Sequence, residues 1–186
     1  MSTSPTRGFS LIETLVAISI LAVALVGPFI AVRNALVGSY AARDQLVAAA
    51  LAQEGMEYIR SIRDNNYLAT PQRDWLDGFS AAVRDGCFGA SPEMVCVVDP
   101  TRGDFHSDSN GMVEHDSVDD APYLYLSTTN LYNQQDSGTR TPFKRTVQMR
   151  TIGSNNTEVE VTVTVTWTSG GVTRTSIVTD TLRDWL

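Results

Sequence analysis

The stretch RGFSLIETLVAISILAVALVGPFIAV, Arg7 to Val32, sets a short polar leader against a long apolar run that carries one carboxylate, Glu13, near its start. About 20 helical residues at about 1.5 Å each cross a hydrocarbon core of about 30 Å, so Phe9 to Val32 is long enough to span a bilayer. Arg7 and Arg33 bracket it. A secretory signal has a basic region, a short apolar core and then a small-residue cleavage site after that core. Here the order is reversed. The small-residue junction, Gly8-Phe9, precedes the apolar run, and a cut there removes the leader and leaves the helix on the chain. Glu13 is the anomaly, because a carboxylate within a membrane helix costs roughly 3 kcal/mol on insertion scales and needs a partner or a purpose.

Gly8-Phe9-Ser10-Leu11-Ile12-Glu13 resembles the cleavage and methylation signal of type IV prepilins and pseudopilins. The resemblance implies that a prepilin peptidase cuts after Gly8 and methylates the new amino terminus on Phe9. It also implies that Glu13, fifth in the mature chain, sets subunit register by facing the Phe9 amine of a neighbouring subunit. In low dielectric each of those charges offsets part of the other's desolvation cost. An ordinary uncleaved anchor, with Glu13 tolerated near the interface, leaves the order GFSLIE unexplained. Pro28 lacks an amide donor and crowds the preceding turn, so a kink or a locally unwound segment is expected at Gly27-Pro28, beside the plainer reading of a tolerated membrane proline.

Beyond Arg33 the helical pattern continues to about Asn65. Leu36, Tyr40, Val47, Leu51, Gly55, Tyr58 and Ile62 recur at three, four and seven, which traces one face of a helix. Arg43, Asp44, Gln53, Glu57, Arg60 and Asp64 lie opposite, a solvated face with ion pairs available at three and four residues. Asn65-Asn66 reads as the stop. Leu51 to Leu68, LAQEGMEYIRSIRDNNYL, also resembles a stretch of minor pilins of the PilV type and of I-type minor pseudopilins of type II secretion.

The remainder, from about Tyr67, is of a size to bury one core. Gly, Pro, Asp, Ser and Asn cluster between Thr70 and Pro122, where Met94 to Val98 is the clearest strand. The second half is β-rich: Pro122 to Ser127, Phe143 to Ile152, Glu158 to Thr168 and Val172 to Thr181. Val159, Val161, Val163, Val165 and Trp167 alternate with Thr and Glu, so one face is buried and the other wet. Ser169-Gly170-Gly171 supplies a hairpin turn. The expected fold class is α+β: a long amino-terminal transmembrane and amphipathic helix packed on a carboxy-terminal antiparallel sheet, the type IV pilin-like arrangement. The domain reading is a leader at 1–8, a membrane or filament-core helix at 9–32, its amphipathic continuation at 33–66 and a soluble domain at 67–186.

Cys87 and Cys96 enclose eight residues in the soluble part. A disulfide, two buried thiols and a metal pair are the alternatives, and export favours the disulfide. The acidic segment Asp99 to Asp120 holds hard oxygen donors of the kind calcium takes, with Asp99, Asp104, Asp108 and Asp116 the candidates; some pseudopilins bind calcium. The spacing is not that of an EF-hand, since the register ending in Asn110-Gly111 puts His106 first and Ser117 last, and a solvated acidic loop is the plainer reading. His106 and His115 stand in this loop without a nucleophile elbow or a zinc-protease helix, so no enzyme is expected and no cofactor is assigned. A net charge of −7 argues against phosphate-backbone binding. Arg140, Lys144, Arg145 and Arg150 read as the wet face of a strand, and no sequence-specific nucleic-acid partner is expected.

The expectation is therefore a pilin or pseudopilin subunit, minor rather than major. Its partners are the prepilin peptidase, other pilin subunits, an inner-membrane assembly platform and membrane lipid. It would sit in the cytoplasmic membrane as a single-pass protein with its carboxy-terminal domain outside, and then in an extracellular or periplasmic filament. The alternative is a membrane-anchored exported binding domain, for ligand, surface or DNA, that never polymerises.

Overall fold

A computed structural model describes residues 8–77, 79, 87–88, 95–102, 112–153 and 157–184. One helix, α1 (Leu11–Leu68), is followed by β1 (Val95–Val98), a 3-10 turn at Pro100–Arg102, β2 (Met112–His115), β3 (Tyr123–Leu126), β4 (Tyr132–Asn133), β5 (Thr139–Ile152), β6 (Glu158–Ser169) and β7 (Val172–Arg183). The class is α+β, a long apolar amino-terminal helix plus an antiparallel sheet, matching the pilin-like fold. The chain forms two compact units, one ending at Arg43 and the other beginning at Asp44.

In the first unit the helix runs continuously through Gly27 and Pro28. Proline removes one amide, the one that would donate to the carbonyl of Ala24, and the flanking turns hold the helix across that single loss. Thr14 and Ser19 satisfy their hydroxyls locally, donating to the carbonyls of Leu11 at 2.9 Å and Val16 at 2.8 Å. An 18-residue window of this helix has a mean hydropathy of 2.7 and none of it is buried within the chain. Leu36 and Tyr40, placed by periodicity on the core face, are exposed as well.

In the second unit the sheet has seven strands, all pairings antiparallel. β5 is the spine. One of its edges pairs with β6 from Phe143↔Trp167 to Ile152↔Glu158. The other is shared by β3 toward its start and β1 at Val147, and these carry β4 and β2 in turn. Pro142 has no amide to give to this second edge, and the register between β3 and β5 shifts there. The hydroxyl of Thr141 donates to the carbonyl of Leu124 at 2.7 Å, so that acceptor is satisfied despite the proline beside it.

The alternation of β6 decides the core. Val159, Val161, Val163, Val165 and Trp167 are buried, and Leu51, Ala52, Met56, Ile59 and Ile62 of α1 share a cluster with them. Phe143 and Trp167 are cross-strand partners with ring centroids 6.0 Å apart and planes tilted by 46°. Gly55 lets helix and sheet approach, since a Cβ there would meet Arg145 Cδ and Val163 Cγ1 at 3.1 Å each. The helix passes the expected stop and ends at Leu68. Asn66 instead faces inward, and its amide donates to the carbonyl of Trp75 at 3.2 Å and of Asp77 at 2.5 Å, holding the returning chain against the helix end.

Candidate processing and assembly site

The helix begins at Leu11, which makes Ser10 its N-cap. Ser10 Oγ accepts the amide of Glu13 at 3.3 Å, and its carbonyl accepts the amide of Thr14 at 3.2 Å. Ser10-Leu11-Ile12-Glu13 thus has the Ser-x-x-Glu spacing of a capping box, of which the Ser10 half is formed, a signal already present in the sequence. Glu13 stands in the first turn, where its charge is favourable to the partial positive charge of the helix start. That interaction is worth at most about 1 kcal/mol on an exposed helix, less than the roughly 3 kcal/mol of membrane insertion.

Of the polar side chains between Ser10 and Val32, Ser10, Thr14 and Ser19 have intrahelical partners. The carboxylate of Glu13 has none among the described residues. Gly8 and Phe9 precede the helix and are exposed, Phe9 at 83%. A Cβ at Gly8 would meet nothing within 4 Å, so the fold itself does not require glycine there. Gly8, Phe9 and Glu13 therefore lie together at the open start of an apolar helix, and among the described residues no side chain pairs with the Glu13 carboxylate.

The second unit gives the remaining candidates structural work. Cys87 and Cys96 are joined in a disulfide with Cα atoms 5.2 Å apart, both fully buried. Asp99, weighed above as a calcium donor, has both oxygens occupied. Oδ1 accepts the amide of Thr101 at 3.0 Å and its hydroxyl at 2.5 Å; Oδ2 accepts the amide of Gln134 at 3.1 Å and the side-chain amide of Gln135 at 3.2 Å. It is the knot that ties the end of β1 to the loop after β4, and it is buried. Asp116 is exposed, and Asp104, Asp108 and His106 lie outside the described residues. Among the described residues no three carboxylate, His or Cys side chains gather where they would hold a metal. His115 closes β2, with Nδ1 3.3 Å from Asp120 Oδ2. A cavity of about 230 Å³ beside it is lined by Val97, Asp99, Arg102, Val113, Pro122 and Gln134.

The row of basic residues on β5 does not form one wet patch. Arg140 and Lys144 flank the ring of Tyr123, at 3.8 and 4.8 Å from its centroid. Arg150 pairs across the strands with Glu160 at 2.8 Å. Arg145 points the other way and is fully buried. Its parity in the strand is that of Phe143, Val147 and Met149, so alternation placed it inward although its charge suggested water. Nη1 donates to the carbonyl of Leu51 at 3.1 Å and to Glu54 Oε2 at 2.6 Å, and Nη2 to the carbonyl of Val98 at 2.9 Å. Burial pushes its pKa down, opposed chiefly by Glu54 and then by Asp99 and Tyr58. The same surroundings raise the Tyr58 hydroxyl, through burial first and the Asp99 charge second. Nearer the far edge, Arg60 reaches from α1 to Asp180 of β7 at 2.6 Å while also meeting Glu57. This contact holds the Asp180 carboxyl below its ordinary range.

Residues 4–27 match the family described as Prokaryotic N-terminal methylation motif, the signature of type IV prepilin-like proteins. The match is confined to this amino-terminal segment, which runs into the one helix among the described residues that is long and apolar enough to cross a membrane, and it points to a structural rather than an enzymatic role. No curated protein and no solved structure matches it.

Proposed function

We propose that this chain is a minor pilin or pseudopilin, cut by a prepilin peptidase between Gly8 and Phe9, N-methylated on Phe9, and assembled into or at the head of a filament. Residues 1–8 are the leader. Residues 9–32 hold the subunit in the cytoplasmic membrane and later pack in the filament core, 33–66 continue that helix, and 67–186 form a domain outside the cytoplasm. The observation that carries this reading is Glu13, a carboxylate in an apolar helix with no partner among the described residues. A cleaved Phe9 would present an ammonium at the helix start, and a neighbour displaced along a filament brings that ammonium against Glu13. Both charges would then be desolvated together, which is acceptable only as a pair. Gly8, which has open space around it, is then required by the peptidase and not by the fold.

The minor role rests on the acidic segment Asp99 to Asp120, which would bring like charge together between identical neighbours at every repeat of a fibre. The Leu51 to Leu68 resemblance supports it too.

Mass spectrometry of protein recovered from membranes and sheared filaments tests the proposal. The mature chain should begin with N-methylated Phe9, and Gly8→Val should block the cut without disturbing the fold. Intact Met1 in filament material would overturn the reading. In the same filaments this chain should be scarce beside another pilin; its dominance would overturn the minor assignment.

A further inference from the structure

β7 is a terminal strand of the sheet, paired with β6 and with no other strand among the described residues. Its 12 residues, VTRTSIVTDTLR, pair from Ser169↔Val172 to Glu158↔Arg183 without a register shift. Edge strands are ordinarily blunted by proline, lysine, a bulge or brevity, because their free amides and carbonyls otherwise template another strand. β7 has no proline, lysine or bulge and is not short; its charges at Arg174 and Asp180 are of opposite sign, and Ile177, at its middle, is 61% exposed.

The hairpin fixes which backbone groups are free. Gly170 and Gly171 both have positive φ, 61° and 79°, so the loop is a two-residue turn closed by Ser169 and Val172 as a hydrogen-bonded pair. Counting by two from Val172, the groups of Arg174, Ser176, Val178, Asp180 and Leu182 turn toward β6. Those of Thr173, Thr175, Ile177, Thr179 and Thr181 turn outward.

The strand is also complementary to itself. Laid antiparallel on a copy about Ile177, it sets Thr175 against Thr179, Thr173 against Thr181, and Arg174 against Asp180. Arg174 and Asp180 share one face of the sheet, carry opposite charge and lie three residues either side of the centre. Moving the centre one residue either way leaves both charges facing neutral side chains. Arg174 donates to the carbonyl of Ser169 at 3.2 Å and forms no ion pair among the described residues. Asp180, held by Arg60, keeps about a third of its side chain exposed, 36%.

We propose that a second copy of this chain docks antiparallel on β7, with the two-fold axis at Ile177 and Arg174 of each copy against Asp180 of the other. The two sheets become one, joined by about ten backbone hydrogen bonds from the five outward residues of each strand. The inference does not depend on the filament reading, since it uses only the second unit.

Disulfide trapping on the full chain in detergent micelles tests it. Cys87 and Cys96 are already bonded, so an introduced thiol is the free one. Across the axis the Ile177 Cα atoms would stand about 5.5 Å apart, within disulfide reach, whereas two Thr175 Cα atoms would stand about 14 Å apart. Mild oxidation should therefore link Ile177→Cys chains at least about tenfold more than Thr175→Cys chains, for that geometric reason. Thr175→Cys mixed with Thr179→Cys should link efficiently although neither links to itself. Arg174→Glu, which sets like charges together, should reduce the Ile177→Cys product. Absence of that product, or equal linking at positions 175 and 177 from collision or helix-driven association, would overturn the proposal.

Discussion

Glu54 and Arg145 are expected to behave as one unit, and a double-mutant cycle measures it. The 2.6 Å contact is a charge-assisted hydrogen bond, and the guanidinium side chain is 0% exposed while that of Glu54 is 42% exposed. Such bonds contribute about 1.5 to 3 kcal/mol, reduced to about 1 to 2 because water reaches the carboxylate. Glu54→Gln should cost that much, since the guanidinium cannot be rehydrated. Arg145→Met removes the donor to the Val98 carbonyl but also relieves the burial of a charge. Its net cost should be about 1 to 2 kcal/mol, and the Leu51 carbonyl keeps its partner within the helix. Once Arg145 is Met, Glu54→Gln should cost almost nothing, leaving a coupling of about 1 to 2 kcal/mol. Urea titration of the full chain in detergent, followed by tryptophan fluorescence, reads this out because Trp167 and Trp75 are buried at 2% and 7% exposure. Additivity within about 0.5 kcal/mol, at unchanged denaturant slope, would refute the claim that the carboxylate is what makes a buried guanidinium tolerable.

Glu13→Val should leave membrane insertion intact or improve it while lowering recruitment to filaments, measured by comparing membrane and filament fractions; equal incorporation would reject charge pairing. Asp180, whose pKa is lowered by Arg60, contributes stability that is present above the ordinary aspartate pKa and is lost as pH falls through the lower folded value. Asp180→Asn should accordingly be less stable than the parent at pH 7, by under about 1 kcal/mol since both partners are partly exposed, with the difference shrinking as pH falls through that lower folded value. Replacing Cys87 and Cys96 together by Ser should lower stability by about 2 to 3 kcal/mol in the same urea assay. Alkylation of exported parent protein without reductant should label neither thiol.

Several elements were legible because their signals are local. An apolar run of membrane length, a helical period from Leu51 to Ile62 and a strict two-residue alternation from Val159 to Trp167 each fix an element without reference to distant chain. The order from Gly8 to Glu13 is likewise a local pattern, of neighbours in sequence. The capping role of Ser10 is equally local, a Ser-x-x-Glu spacing at the start of the apolar run. β2 and β4 carried too little pattern in four and two residues to be read, and exist by pairing with β1 and β3.

By itself, then, the sequence determined that an apolar helix with one acid at its start precedes an antiparallel sheet, because hydrophobic periodicity and turn chemistry act over a few residues. Which charges are buried was decided only by tertiary structure. Arg145 resembles its solvated neighbours in type, and Asp99 resembles a loop carboxylate. Their environments depend on Glu54, Leu51, Val98, Thr101 and Gln134, which are distant in the chain apart from Thr101, and on Gly55 leaving room for the guanidinium. A buried charge is stabilised by the sum of donors and acceptors that converge on it, and that convergence is a property of the packed chain and not of any stretch of it.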